Sequence, residues 1–297
     1  MAGIRDEITG FFRDGDPLSR LIGSLLGVYV VILLLQIIST FTQTPIAQAV
    51  LPYFTLPSAL GKLLFKPWTL LTYMFVHEGF MHILFNLLYL YFAGQLFQIY
   101  LGSDKLWSTF LLGGLAGGLL YVLAYNLFPF FESSVALATN RGASAGVMAV
   151  LVAVAVVVPN FPVRLFFVLE VKLWQVAALL VLLDLVYMPN ENHGGHIAHL
   201  GGVLFGYFMA KKWKDERVYM GAFADRWMEQ VADAFSAKPK LKVAHRKSSA
   251  RASTSRNTAH SVNNQEKLNA ILDKISKGGY ESLTKEEKDF LFRMSDS

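Results

Sequence analysis

Gly142-Ala143-Ser144-Ala145-Gly146 opens an apolar run that ends near Val158, and Ala198-His199-Leu200-Gly201-Gly202 crosses a second run, Ile197 to Ala210. A hydroxyl and an imidazole, set among glycine and alanine, thus lie in stretches fit for a bilayer. Ionisable groups at that depth are costly and persist where they carry function or line a wet cavity. Gly202 and Gly206 stand three and seven residues after His199, on nearly the same helix face, so the second run can approach the first closely enough for a hydrogen bond. The pair points to a nucleophile and its base working inside a membrane.

Composition agrees with that setting. Of 297 residues, 54% are hydrophobic and only 16% charged, with a mean hydropathy of +0.40, which is too apolar for an ordinary soluble enzyme. Further apolar runs lie at Leu21 to Phe41, Phe80 to Tyr100, Leu106 to Phe128 and Leu173 to Tyr187, giving six expected spans and an all-α membrane bundle. The first run follows a mixed-charge segment with no cleavage site, as a retained signal anchor would. The net charge of +5 does not imply nucleic acid, because the basic residues flank the apolar runs or gather in a polar tail. Arg5, Arg13, Arg20, Lys105, Arg164, Lys172, Lys211, Lys212, Lys214 and Arg217 fall on one side, and Lys62, Lys66 and Arg141 on the other. Both termini are therefore expected in the cytoplasm. With no cysteine, disulfides and a thiol nucleophile are excluded.

Taken alone, Ser144 also fits a packing stripe with Gly142, Gly146 and Ala149. The loop Thr139-Asn140-Arg141-Gly142, however, delivers it to a helix start, where free N–H groups and the positive dipole end suit an oxyanion. Counting back from Val158 at ~1.5 Å per residue places Ser144 about 10 Å below the outer surface of a ~30 Å hydrocarbon core. His199 is the natural base for it. His82 and Asn86, four apart at the second span, share a helix face and are candidate oxyanion donors. Asp184, in the fifth span, reads better as a bond to a neighbouring helix than as an orienting acid for His199. Glu170 and Lys172 read as a pair at the cytoplasmic rim.

A metal centre is not expected. His193, His196 and His199 fall three apart, but His77 and His82 are five apart and miss the H-E-x-x-H spacing that puts two rings on one helix face. His193 and His196 bracket Gly194-Gly195 in what reads as a surface loop. No cofactor is implied either.

The order of His77, His82 and Asn86 at the second span, Gly142-x-Ser144 at the fourth, and Ala198-His199-x-x-Gly202-x-x-x-Gly206 at the sixth resembles the rhomboid intramembrane serine proteases. The resemblance covers residues 20 to 212. It implies a six-helix rhomboid-like bundle and a Ser144 and His199 dyad with no acidic third member. It also implies an oxyanion pocket from the Ser144 amide, His82 and Asn86 beside Gly142, and cleavage of transmembrane protein substrates near the outer face of the lipid bilayer. Ala145 stands where many members have glycine after the serine, Met148 where some have an aromatic ring, and Trp68-Thr69 where a Trp-Arg pair is common. Competing expectations are a catalytically inactive rhomboid-like protein that binds membrane clients and a transporter with discontinuous helices. The acid-containing N-terminus favours a bacterial plasma membrane over an organelle.

The expected organisation is an N-terminal cytoplasmic segment over 1–20, the membrane domain over 21–212, a basic polar linker over 213–265 and a small helical hairpin over 266–297. The stretch 237–265 is rich in Ser, Asn, Thr and basic residues and reads as disordered. Leu268, Ile271, Leu272 and Ile275 recur at helical spacing, Gly278-Gly279 breaks the chain, and Thr284-x-x-Glu287 is a capping-box start.

Overall fold

A computed structural model describes residues 16–165, 169–189, 192–216, 219, 221, 269–275, 278–279 and 282–295. The stretch 237–265 of the expected linker and most of the expected N-terminal segment lie outside them, while residues 213–216 at the head of that linker continue the helix that ends at Glu216. The chain divides into a unit over Met1–Lys238 and a second over Pro239–Ser297.

In the first unit the long helices are α1 (Pro17–Thr42), α5 (Phe80–Tyr100), α6 (Leu106–Leu127), α7 (Ser144–Val157), α8 (Leu173–Tyr187) and α9 (His193–Glu216). The first connection carries the short helices α2 (Ile46–Val50), α3 (Leu60–Phe65) and α4 (Thr69–Thr72). Among the described residues, three helices, α1, α5 and α6, are long and apolar enough to cross a membrane by themselves, and α7 and α8 are shorter apolar helices. The bundle is that of an integral membrane protein. Its lipid-type surface is plain on α1, where Val30, Val31, Leu33, Leu34, Ile37 and Ile38 are exposed. At the start of α1, Asp16 caps the helix by accepting bonds from the Leu18 and Ser19 amides (3.1 and 3.2 Å), and Pro17 needs no partner for its first turn.

α7 is the axis of the unit. It is apolar all round, as a helix with no solvent or lipid face must be, and every residue from Ala145 to Ala155 is buried. α5, α6, α8 and α9 all pack against it. Glycine sets how close they come: a Cβ at Gly202 or Gly206 of α9 would overlap the carbonyl oxygens of Ala145 and Ala149, and one at Gly113 of α6 would overlap the Ala149 methyl. In lipid, where apolar burial gives helices little reason to associate, such close backbone packing supplies the attraction.

Among the described residues, two small antiparallel ladders interrupt the helical plan. β1 (Leu56–Pro57) pairs with β2 (Thr139–Asn140), Leu56 opposite Asn140, and β3 (Pro162–Leu165) pairs with β4 (Leu169–Lys172). The second ladder changes one expected pairing: Glu170 faces and pairs with Arg164 (3.5 Å), the residue opposite it in the ladder, while Lys172 lies opposite Pro162.

In the second unit, residues 269–275 are helical, Gly279 turns at φ +73°, and α10 (Lys285–Ser295) follows. Thr284 and Glu287 exchange capping bonds, the Thr284 amide donating to Glu287 Oε2 at 2.8 Å, and Lys274 reaches Glu287 Oε1 at 2.8 Å. The Lys274 ammonium holds the exposed Glu287 carboxyl below its ordinary range.

The glycine contacts are testable by contrast. Gly206→Val must push α9 off the Ala149 carbonyl and should cost about 1–3 kcal/mol or more. Gly27→Ala on α1, which meets nothing within 4 Å, should leave stability unchanged or raise it by up to about 1 kcal/mol. Thermal unfolding in detergent reads both, and equal effects would contradict the close α7–α9 contact.

Candidate active site

The segment that delivers Ser144 is fixed from several directions. β2 is tied to β1, the Gly142 amide donates to the Tyr73 carbonyl (2.9 Å), and Ser58 Oγ bonds the Val135 carbonyl (2.7 Å) ahead of the strand. Arg141 pairs with Glu78, at the head of α5. Gly142 sits at φ +120°, a conformation that disfavours any side chain, and this turn lets α7 begin at Ser144. His77 completes the frame. Its Nε2 accepts the Ala143 amide at 3.2 Å while Nδ1 bonds the Phe75 carbonyl at 3.3 Å, so the ring is neutral with its proton on Nδ1. In the connection ahead of α5, burial first and then the neighbouring His82 ring push the His77 imidazole down to about 4.

Ser144 Oγ lies 2.6 Å from His199 Nε2. The opposite nitrogen, His199 Nδ1, is 2.7 Å from Asp184 Oδ1, so serine, imidazole and carboxylate form one chain across α7, α9 and α8. The same carboxylate oxygen also meets His196 Nδ1 at 2.7 Å. A carboxylate accepts only, so both rings present Nδ1–H to it and His199 Nε2 is left bare towards the serine hydroxyl. The start of α9 is set by Asn192, at φ +48°, whose Oδ1 accepts the Gly195 amide at 3.3 Å.

A cavity of about 470 Å³ opens over these groups, lined among others by His82, Asn86, Arg141, Ser144, Met148 and His199. The place a Cβ would take at Gly142 is 2.8 Å from His82 Nε2 and 3.8 Å from Ser144 Oγ. That point lies hard against the His82 ring, between it and the hydroxyl, beside the first-turn amides of α7. Asn86 spends one amide hydrogen on the His82 carbonyl (2.8 Å), which leaves its second hydrogen free.

A rhomboid domain model matches residues 64–213. This chain belongs to the rhomboid family. A second model, a family of unknown function designated DUF6576, matches residues 257–297, and no curated protein matches the chain. In this rhomboid the expected site residues Ser144, His199, His82 and Asn86 line one cavity, and Gly142 adjoins the His82 ring and Ser144. Two expectations change. The resemblance implied no acidic third member, yet Asp184 contacts His199 directly; the neighbouring-helix bond expected of Asp184 is made through that histidine itself. His193 and His196 are not on a surface loop but in the first turn of α9, with His193 against the rings of Phe130 and Phe131. Among the described residues, Asp184, His196 and His199 are a group whose ligand atoms converge, all within 4.8 Å of one another.

The role of His77 has a pH signature. Its folded value of about 4 lies below the ordinary 6.5, so as pH falls through that window the unfolded chain takes up a proton that the folded chain refuses, and stability is lost. Between pH 7.5 and 5 this costs about 2 kcal/mol. His77→Gln keeps a side-chain acceptor and does not titrate. The variant should lose less stability than wild type over that interval by this amount, and identical pH profiles would remove the buried neutral ring from the account.

Proposed function

We propose that this rhomboid is a serine endopeptidase that cleaves transmembrane protein substrates within the membrane. The observation that carries the reading is the 2.6 Å contact of Ser144 Oγ with a bare His199 Nε2, at a helix N-terminus and on the wall of a cavity. A substrate helix unwound at the outer interface brings its carbonyl to Ser144, and His199 takes the hydroxyl proton as the C–O bond forms. The oxyanion then occupies the position beside Gly142, within reach of the Ser144 amide, His82 and Asn86. His199 hands its proton to the leaving amine, and water resolves the acyl-enzyme by the same steps in reverse.

Asp184 acts as a positioning residue. It selects the Nδ1–H tautomer that leaves Nε2 bare and neutralises the imidazolium formed during transfer, the division of labour of a serine triad. The orientation that accompanies this reading puts both termini in the cytoplasm of a bacterial cell and opens the cavity to the outer face of its plasma membrane.

Ser144→Ala and His199→Ala should each lower cleavage of a model transmembrane substrate by the detergent-purified chain at least about 10³-fold, with EDTA not lowering the wild-type rate. Asp184→Asn should cut kcat by about 10²-fold or more with little change in KM, because it disturbs the tautomer and not substrate contact. Product formed equally well by Ser144→Ala would exclude the mechanism, and a wild type that binds membrane clients without cleaving them would favour the inactive-homologue reading.

A further inference from the structure

We propose that Asp184, His196 and His199 form a zinc-binding site whose occupation switches the serine chemistry off. The inhibitory half rests on the protease reading above; the binding half does not. Asp184 Oδ1 stands 2.7 Å from Nδ1 of each histidine, and the two rings are nearly perpendicular at 5.9 Å between centroids. The three side chains are 10%, 17% and 20% exposed, enclosed yet reachable, because all of them line the cavity over Ser144. An ion can enter by the route proposed for substrate.

The donor set selects the metal. Two imidazoles and one carboxylate with room for water are a three-ligand zinc set, whereas calcium and magnesium require oxygen shells. Zinc bonds of about 2.0–2.1 Å in tetrahedral array hold ligand atoms about 3.3 Å apart, so each 2.7 Å hydrogen bond must open by about 0.6 Å while the ligand atoms, now within 4.8 Å of one another, draw in to that common spacing. The cavity side leaves space for that movement. His196 lies in the first turn of α9, and the second carboxylate oxygen is available to follow the ion.

Inhibition follows from the proton count. Before binding, each ring carries its proton on Nδ1. Zinc takes both Nδ1 lone pairs, the protons move to the Nε2 atoms, and none is released overall. His199 Nε2 then bears a hydrogen towards Ser144 Oγ and cannot accept the serine proton. The ion leaves nucleophile and oxyanion position in place and disables only the base. His196 transfers no proton in the proposed peptide cleavage and bears on it only through the Asp184 oxygen it shares with His199, so its removal deletes a metal ligand while leaving the Ser144 and His199 pair itself in place.

The test uses the tag-free full chain in detergent. Zinc titration of Ser144→Ala should give one tightly held ion per chain. Cobalt(II) in its place should give tetrahedral d–d absorption, and both signals should be lost in Ser144→Ala/His196→Gln and, as an independent ligand deletion, in Ser144→Ala/Asp184→Asn. In the active chain a small excess of zinc should reduce cleavage at least about tenfold, reversibly with EDTA, and His196→Gln should need at least about tenfold more zinc for the same fractional loss. Zinc sensitivity is read as a ratio within each variant, so a change in basal rate drops out; thermal unfolding confirms that each variant is folded. Absence of stoichiometric binding, or binding unchanged in the His196→Gln background, would overturn the site. Binding that leaves wild-type cleavage intact would overturn the switch. A wild type without any cleavage would sink the protease reading, while the titration on Ser144→Ala would still decide whether the metal binds.

Discussion

The structure depends on one backbone contact, that of α9 lying directly on the carbonyl oxygens of α7. Gly202 sits over Ala145 and Gly206 over Ala149, and neither position has room for a methyl group. Because His199 precedes Gly202 by just under one turn, the contact also sets where the imidazole falls, next to the first residue of α7. α6 closes the other side through Gly113 and Gly117, the latter against Ala145 and the Ala198 carbonyl. Packing that holds the helices together is therefore the same packing that brings Ser144 and His199 to 2.6 Å.

Non-helical backbone inside a membrane protein survives only where its polar groups are satisfied. The stretch before Ser144 meets that condition with borrowed partners: a two-residue strand from the first connection, the Tyr73 carbonyl and the His77 ring. These partners come from 66 to 84 residues earlier in the chain, and together they hold Gly142 in its φ +120° turn. The first connection is thus part of the site's scaffold.

The sequence made the helix start at Ser144 legible because a polar loop ends there and an uncharged run begins; it made the α7–α9 approach legible because glycines recur at helical spacing after His199. The spans at Phe80–Tyr100 and Leu173–Tyr187 coincide with the helices α5 and α8. What escaped was long-range. Strands of two residues have no period to detect, so β1 and β2 left no trace. His77 looked like half of a metal motif because its amide partner is 66 residues away. The direction in which Asp184 points depends on the rotation of α8 about its axis, which its uniformly apolar neighbours do not encode. His196 looked like a loop residue because Gly194-Gly195 reads as a break; in the fold those glycines are buried in the first turn of α9, Gly194 against the Tyr121 ring.

A carboxylate enclosed among membrane helices must be compensated by donors or it destabilises the fold. Asp184 has two, both imidazole N–H groups from α9, and this double compensation has a consequence for the proposed chemistry. A single donor would leave the carboxylate free to swing towards water or another partner. With two donors one turn apart on the same helix, its oxygen is pinned, and His199 is pinned with it in the tautomer that faces Ser144 with a lone pair. When that lone pair takes a proton, the compensating negative charge is already 2.7 Å from the ring, so nothing has to reorganise as charge develops. The same convergence of lone pairs that prepares the base is what a divalent cation would recognise. The proposed proton transfer and the proposed zinc binding therefore share one structural origin, the oxygen of Asp184 that meets both rings.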